Sequence, residues 1–537
     1  MILIDQHTKQ IMEGCKVRAF DAGLRFGNET LEYIVTNSDL IELSPKHMIP
    51  TLYDYWLQDI QVLRGKGEYD IYPNNPFETV INTRPAISFY NDNNPDWLNV
   101  MIFYHVLAHI DFFQNNKFFS KTWDYDFKEK ALTEKRIVAR LRSQHGREVD
   151  YVIEFARGID NLIGYFSDLD NTEDYQLLNL PSKVDYYFNT FLQAEKTVSM
   201  KFFLEEVEKY NSISANSPEE KDEIFFSKIV KKHPEFDAFY KKGKFVMASK
   251  NKPDLLQFIM RESKVLNEEN NMWKQSIIEI VRDTSLYFSP QIRTKTMNEG
   301  WASYWHEKLF MLDDRIKGHE IAFARINAKV TSINHIGLNP YAIGWRLFMQ
   351  IKEMADQEKY SYAYNKIMDI EDRKKFDNGS NLGNDFIFHV RENYCDSTFL
   401  NRFIDQDFVD KYKLMVVGQR INTVKNVKEY YVKSRKASEY KKMMMESLYH
   451  PPFIKFEKDE NGALKLYHLF EGKELYRDYI KNTLIGLEYL WGNEVILETT
   501  EIDWEEIKKQ KSEKLEPKYQ KVLYRVKNKK VTKQKLT

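Results

Sequence analysis

At 537 residues, 42% of them hydrophobic and 14% aromatic, the chain is long enough for two or three units built around a core rich in Phe and Tyr. Its 79 basic and 80 acidic residues nearly cancel, so no long-range field draws it to nucleic acid or to an anionic membrane. Cys15 and Cys395 are too few for a disulfide framework and fit reduced, buried thiols in a cytoplasmic protein.

The opening Met1-Ile-Leu-Ile-Asp5 turns polar without the basic stretch and apolar run of a secretory signal. No charge-free apolar run of ~18 residues occurs anywhere, so no membrane span is expected. Glu78-Thr-Val-Ile-Asn82 and Ala86-Ile-Ser-Phe-Tyr90 are β-branched or aromatic runs flanked by Asn, Pro and Asp, which predicts a short sheet near the N-terminus. A helix follows from Pro95-Asp-Trp97 to about Phe113 and carries His105 and His109. Residues 128–210 read as helical, with Ile137, Leu141, Val152 and Phe155 at helical spacing. The polar run Asn211–Glu220 predicts a loop, and Ser249-Lys-Asn-Lys-Pro253 another break.

From Leu255 to about Val432 the pattern is again helical, with Pro340 placed for a helix start after Asn339. The tail changes character. Phe453-Ile-Lys-Phe456 and Leu464–Leu469 alternate with period two around Glu460-Asn-Gly462, which predicts a hairpin. A helix over Leu475–Leu490 and a strand over Val495–Thr500 complete a ββαβ module. The lysines of the last thirty residues read as a solvated hairpin or tail rather than a nucleic-acid arm, because no aromatic platform accompanies them. The expected fold is therefore mainly α with α+β elements: a mixed segment over 1–95, a helical body over 96–435, and a C-terminal α+β module with a basic tail over 436–537. No Walker loop or dinucleotide glycine fingerprint appears.

Two helices carry the chemistry. At about 100° per residue, His109 lies only ~40° around its helix from His105, with Asn116 between them. In Asn298-Glu-Gly-Trp-Ala-Ser-Tyr-Trp-His306, residues Glu299, Ser303 and His306 fall within about 60° of one another. Two histidines one turn apart can grip a cation, and a carboxylate from a second helix can complete the site. His105, His109 and Glu299 are thus candidate ligands for a divalent metal, zinc first. Val106 stands where the His-Glu-x-x-His zinc peptidases keep their water-activating Glu. A base would have to come from Glu78, His306 or Asp111, the last lying ~120° from His105. The bland alternative is a pair of core imidazoles bonded to backbone and to Asn116. Ser303 lacks a Gly-x-Ser-x-Gly elbow, Trp301 and Trp305 suit packing, and Arg391, Glu392 and Asp396 read as a structural ion-pair group.

These runs are where the chain resembles a known family. The first, His105-Val-Leu-Ala-His109-Ile-Asp-Phe-Phe-Gln-Asn-Asn116, is joined by Tyr287-Phe-Ser-Pro-Gln291 with Thr294–His306, and by Leu338-Asn-Pro-Tyr-Ala-Ile-Gly344. Val390-Arg-Glu392 with Asp396-Ser-Thr-Phe399 and Leu448-Tyr-His-Pro-Pro452 follow, then Phe470-Glu-Gly472, Asn482–Gly486, Leu490-Trp-Gly492 and Leu497–Thr500. Through them the chain resembles the stage V sporulation protein R family of bacteria over most of its length. The resemblance implies a part in forming the spore cortex, or stress physiology in bacteria that do not sporulate. It also implies a serine protein kinase and a von Willebrand-type protein as partners.

Two departures stand out. The family usually has Pro-His-Trp-x-Phe-Gly where this chain reads His47–Trp56, and Arg-Glu-Glu where it reads Arg282-Asp-Thr284. Two functions fit these residues. One is a metal-dependent hydrolase resembling the zinc peptidases whose third ligand is a Glu, with His105, His109 and Glu299 as ligands and His306 or Glu78 as proton-handling catalytic groups. The other is a non-enzymatic regulatory or scaffold protein in which the same cluster holds helices together.

Overall fold

The computed structural model describes residues 2–27, 29–36, 78–122, 127–163, 183–185, 200–213, 218–233, 253–333, 338–361, 366–422, 427–503 and 518–536, with a few further positions between them. The chain divides into two compact units: Met1–Glu154 with Ser276–His450, and Phe155–Gln275 with Pro451–Thr537. The fold is mainly helical with small sheets, as the sequence patterns predict.

In the first unit, β1 (Ile2–Leu3), β2 (Thr30–Val35), β3 (Glu78–Ile81) and β4 (Ala86–Asn91) form a sheet of order β1-β2-β4-β3. β2 and β4 run parallel, and the other two pairs are antiparallel. β3 and β4 are the two strands the sequence predicts; β1 and β2 join them without having been expected. The helix Gln6–Asp21 starts on Asp5, whose carboxylate accepts from Thr8 N at 2.7 Å.

The helix Asp96–Asn115 is the centre of this unit. Every residue from Leu98 to Phe113 is buried, so the helix is enclosed on all sides, as its apolar character around the whole circumference requires. Helix Lys295–Phe310 packs against it, and helix Pro340–Asp356 packs against Lys295–Phe310 in turn. That second contact is made backbone to backbone. A Cβ placed on Gly300 would lie 2.3 Å from the Gly344 carbonyl carbon, and one on Gly344 would lie 2.1 Å from the Thr296 carbonyl oxygen. The start of Pro340–Asp356 follows the predicted logic, with Pro340 in the first turn and the Asn339 side chain accepting from Tyr341 N at 3.1 Å.

The predicted helical stretch to Val432 needs one correction. β5 (Val416–Asn422) and β6 (Val427–Ser434) form an antiparallel hairpin, which suits their run of Val, Ile and Tyr better than a helix does.

In the second unit the hairpin at Gly462 forms as expected, between β7 (Phe453–Lys458) and β8 (Leu464–Leu469). Helix Arg477–Trp491 then crosses to β9 (Val495–Ile502), parallel to β8. Gly492 ends that helix in the left-handed region at φ 81°. The module is larger than ββαβ. β10 (Tyr519–Lys527) and β11 (Lys530–Lys535) extend the sheet to the order β11-β10-β9-β8-β7. The lysine-rich end is therefore a hairpin, and its edge strand carries the charges that discourage edge-to-edge pairing. Lys533 meets buried Glu501 at 2.6 Å, and Arg477 approaches the same carboxylate at 3.6 Å. Elsewhere in this unit the expected loop over Asn211–Glu220 is shorter than predicted. Helix Pro218–Lys232 begins inside it, with its proline where a missing N–H costs nothing.

Candidate metal centre

Three polar side chains, His105, His109 and Asp111, lie in the fully buried stretch of the helix Asp96–Asn115, and each must find partners there. The two histidines face the helix Lys295–Phe310. His105 Nδ1 is 2.8 Å from His306 Nδ1, and His109 Nδ1 is 2.8 Å from Asn298 Oδ1. Their other nitrogens turn toward one carboxylate oxygen: His105 Nε2 lies 3.9 Å and His109 Nε2 3.6 Å from Glu299 Oε2. Ligand atoms of all three residues fall within 4.8 Å of one another. The two imidazoles meet edge to face, with ring centroids 4.6 Å apart. Tyr341 stacks over His105 and Phe113 over His109. The Glu299 side chain is 17% exposed against 7% and 8% for the histidines.

The electrostatics favour neutral, ligand-ready rings. Burial, reinforced by the neighbouring imidazoles, holds His105 well below the usual histidine range. Burial likewise takes His306 down to about 4, against a hydrogen bond to Asn327 that works the other way. Glu299 Oε2 itself is buried and has no hydrogen-bond donor among the described residues. A buried carboxylate oxygen without a donor among the described residues, facing the Nε2 nitrogens of two imidazoles, is what a cation would satisfy.

The helix bearing Glu299 is positioned from outside. Thr294 offers no side-chain cap, and Asp396 supplies one instead, its two oxygens accepting from Thr296 N and Met297 N at 2.8 Å each. Burial pushes the Asp396 carboxyl up to about 7, and those two N–H groups oppose the rise.

The structure brings His105, His109, Glu299 and His306 together. Other expectations are corrected. Asp111 turns away from the cluster: Arg25 N donates to it at 2.7 Å, Trp301 Nε1 at 2.9 Å, and Arg391 Nε lies 3.3 Å away. Asn116 does not serve the histidines either, because its amide donates to the carbonyls of Arg391 and Tyr394. Arg391 pairs with Asp111 and Glu392, whereas Asp396 is the helix cap just described. Ser303 is buried with no base beside its hydroxyl among the described residues. Trp301 and Trp305 are fully buried and pack, as expected.

Val106 is buried in the core. Thr284 is buried too and donates to the Ile280 carbonyl at 2.6 Å. Glu78 opens β3 opposite Tyr90, and its side chain lies outside the described residues, as do residues 47–56. Two residues of the cluster are not marked by the sequence patterns. Asn298 stands beside Glu299 in the motif, where a histidine facing it would need an acceptor. Asn327 lies on helix Glu320–Val330 and accepts from His306 Nε2 at 3.0 Å, and nothing in its local sequence signals that role.

A family model described as SpoVR-like protein matches residues 4–449. The uncharacterized protein YcgB of Escherichia coli (strain K12) is 22% identical over 501 residues, which span 87% of this chain and 86% of that relative. No solved structure matches.

Proposed function

The chain belongs to the SpoVR-like family, and from that membership and the geometry of the cluster we propose a metal-dependent hydrolase. His105 and His109 are its Nε2 ligands, Glu299 its carboxylate ligand, and zinc the ion that fits. The observation carrying this reading is the pair of Nε2 nitrogens 3.9 and 3.6 Å from a buried carboxylate oxygen without a donor. Ligand bonds of about 2.0–2.1 Å at tetrahedral angles imply ligand–ligand edges of roughly 3.3–3.4 Å, whereas octahedral neighbours would sit at about 2.9 Å. The observed spacings lie nearer the first. Three protein ligands match the pattern of sites that keep a fourth position for water.

When bound, the ion lowers the pKa of its water and polarises an amide carbonyl. The chain's own residues hold that arrangement: burial keeps His105 neutral, Asn298 and His306 orient the two imidazoles, and Asp396 anchors the helix that presents Glu299. In this reading Glu78 handles the substrate's proton, with His306 behind His105. The substrate class is an amide in a peptide or a cell-wall precursor. Its setting is the cytoplasm, in spore-cortex formation or stress-linked envelope physiology, alongside a serine protein kinase and a von Willebrand-type protein.

A second reading is favoured by Val106, buried where a water-activating Glu would stand. In it the same ion staples two core helices of a scaffold protein and no substrate is turned over. The test is elemental analysis of protein purified without metal-affinity resin, beside the Glu299→Gln and His105→Ala/His109→Ala variants. About one zinc per chain in the parent and none in the variants supports the site. Absence of bound metal, together with no thermal shift on adding zinc, manganese or iron, overturns it. With metal present, release of an amine from a peptide or wall-precursor library separates hydrolase from scaffold.

A further inference from the structure

Resting on the metal reading above, we infer that Asn327 is a positioning residue that acts through His306 to decide which nitrogen of His105 is free for the ion, and that Asn298 does the same for His109. A neutral imidazole has one N–H and one lone pair, and only the lone pair can bind a metal. The hydrogen-bond chain from Asn327 settles where each proton lies.

Asn327 Oδ1 can only accept, so His306 Nε2, 3.0 Å away, carries the proton. His306 Nδ1 is then a lone pair. At 2.8 Å from it, His105 Nδ1 must be the donor, which leaves the His105 Nε2 lone pair directed toward Glu299 Oε2. The Asn327 side chain also interacts with Glu307, holding its carboxyl down against the rise that burial imposes. An acid accepts, so the amide nitrogen faces Glu307 and the oxygen faces the imidazole. On the other branch Asn298 Oδ1 accepts from His109 Nδ1, which leaves the His109 Nε2 lone pair directed at the same carboxylate.

Both branches end with lone pairs converging on Glu299. Water cannot compete along the first, because Asn327, His306 and His105 are all buried. An imidazole in water prefers its proton on Nε2, so without these acceptors each ring would present a proton where the ion should bind. Helix Glu320–Val330 thereby belongs to the site although it contributes no ligand.

The test reads the protons directly. In full-length, metal-free protein labelled with ¹⁵N-histidine, long-range ¹H–¹⁵N spectra report the tautomer of each ring, with His105→Gln and His109→Gln spectra for assignment. His105 and His109 are expected to be protonated on Nδ1. Asn327→Leu should return a large fraction of His105 to the Nε2–H form and weaken zinc binding roughly tenfold to a hundredfold, while His109 stays as it was. Asn327→Asp keeps an acceptor oxygen toward His306 and can share a proton with Glu307, so it should preserve the His105 tautomer. An Nε2–H tautomer at His105 in the parent protein overturns the inference, whether or not Asn327→Leu folds. So does a folded Asn327→Leu protein with tautomer and zinc affinity both unchanged. Nδ1–H tautomers in a parent protein that binds no zinc would support the proton chain and count against the metal reading alone.

Discussion

Replacing Gly344 by Ala tests how the helix carrying Glu299 is held. Within an ordinary helix, Gly→Ala stabilises by up to about 1 kcal/mol, because alanine loses less backbone entropy and is the better helix former. Here the sign should reverse. The new Cβ would lie 2.1 Å from the Thr296 carbonyl oxygen and 2.7 Å from Gly300 Cα, both backbone atoms of the facing helix. Restoring about 3.5 Å between these atoms requires the helices to part by roughly 1.4 Å at the crossing. Gly300→Ala, with its Cβ 2.3 Å from the Gly344 carbonyl carbon, requires roughly 1.2 Å. The facing helix Asp96–Asn115 is packed on its other side, so Lys295–Phe310 has no free space to retreat into. Overpacking of this kind costs about 1–3 kcal/mol. For a unit of this size that corresponds to a fall of about 1–4 °C in its melting temperature. Thermal unfolding followed by circular dichroism, with zinc affinity measured on the same samples, makes the comparison. If either variant melts at or above the parent temperature, the backbone contact does not constrain the site and the reasoning fails.

Three further outcomes are expected. Chelation should lower the melting temperature of the parent protein and leave Glu299→Gln unmoved, since an ion at a hundred times its dissociation constant adds about 2.7 kcal/mol; equal shifts in both would place the metal elsewhere. Asp396→Ala strips the trans cap from two helix N–H groups and should cost about 1–2 kcal/mol, with Asp396→Asn recovering part of it; full stability in the alanine variant would remove the cap from the account. The third concerns acid. Burial pushes the Asp313 carboxyl up, but hydrogen bonds from Arg315 and Tyr104 outweigh it and hold the group at about 2. Its folded pKa is thus below its unfolded value, so its contribution is complete above about pH 4 and is lost as pH falls toward 2, about 2 kcal/mol in all. Asp313→Asn should therefore destabilise at neutral pH and flatten the acid limb of the stability profile. An unchanged limb would show that the pair does not contribute.

The candidate cluster is legible in the sequence because helical geometry is local. A His-x-x-x-His spacing puts both rings on one face whatever surrounds them, and Glu299 and His306 share a face for the same reason. Strands with β-branched alternation and the Asn-Gly hairpin are legible on equally local grounds. Local pattern fails for features whose partner is distant in sequence. Val416–Asn422 and Val427–Ser434 carry β-forming Val, Ile and Tyr, but their helical surroundings mask that signal until the strands pair. Asp111 shares a helix with the histidines, yet it faces Arg391 rather than the cluster.

By itself, then, the sequence determined that two helices carry metal-binding residue types on single faces, that the body is mainly helical, and which family the chain belongs to. Tertiary structure alone decided that those faces meet, that Gly300 against Gly344 lets the backbones come close enough to position Glu299, and that Asp396 caps its helix from a hundred residues away. It also decided that Asn298 and Asn327 orient the imidazoles. The physical reason is the same in each case: a buried polar atom takes its role from whichever partner the packing supplies, and that partner is not encoded in the residues beside it.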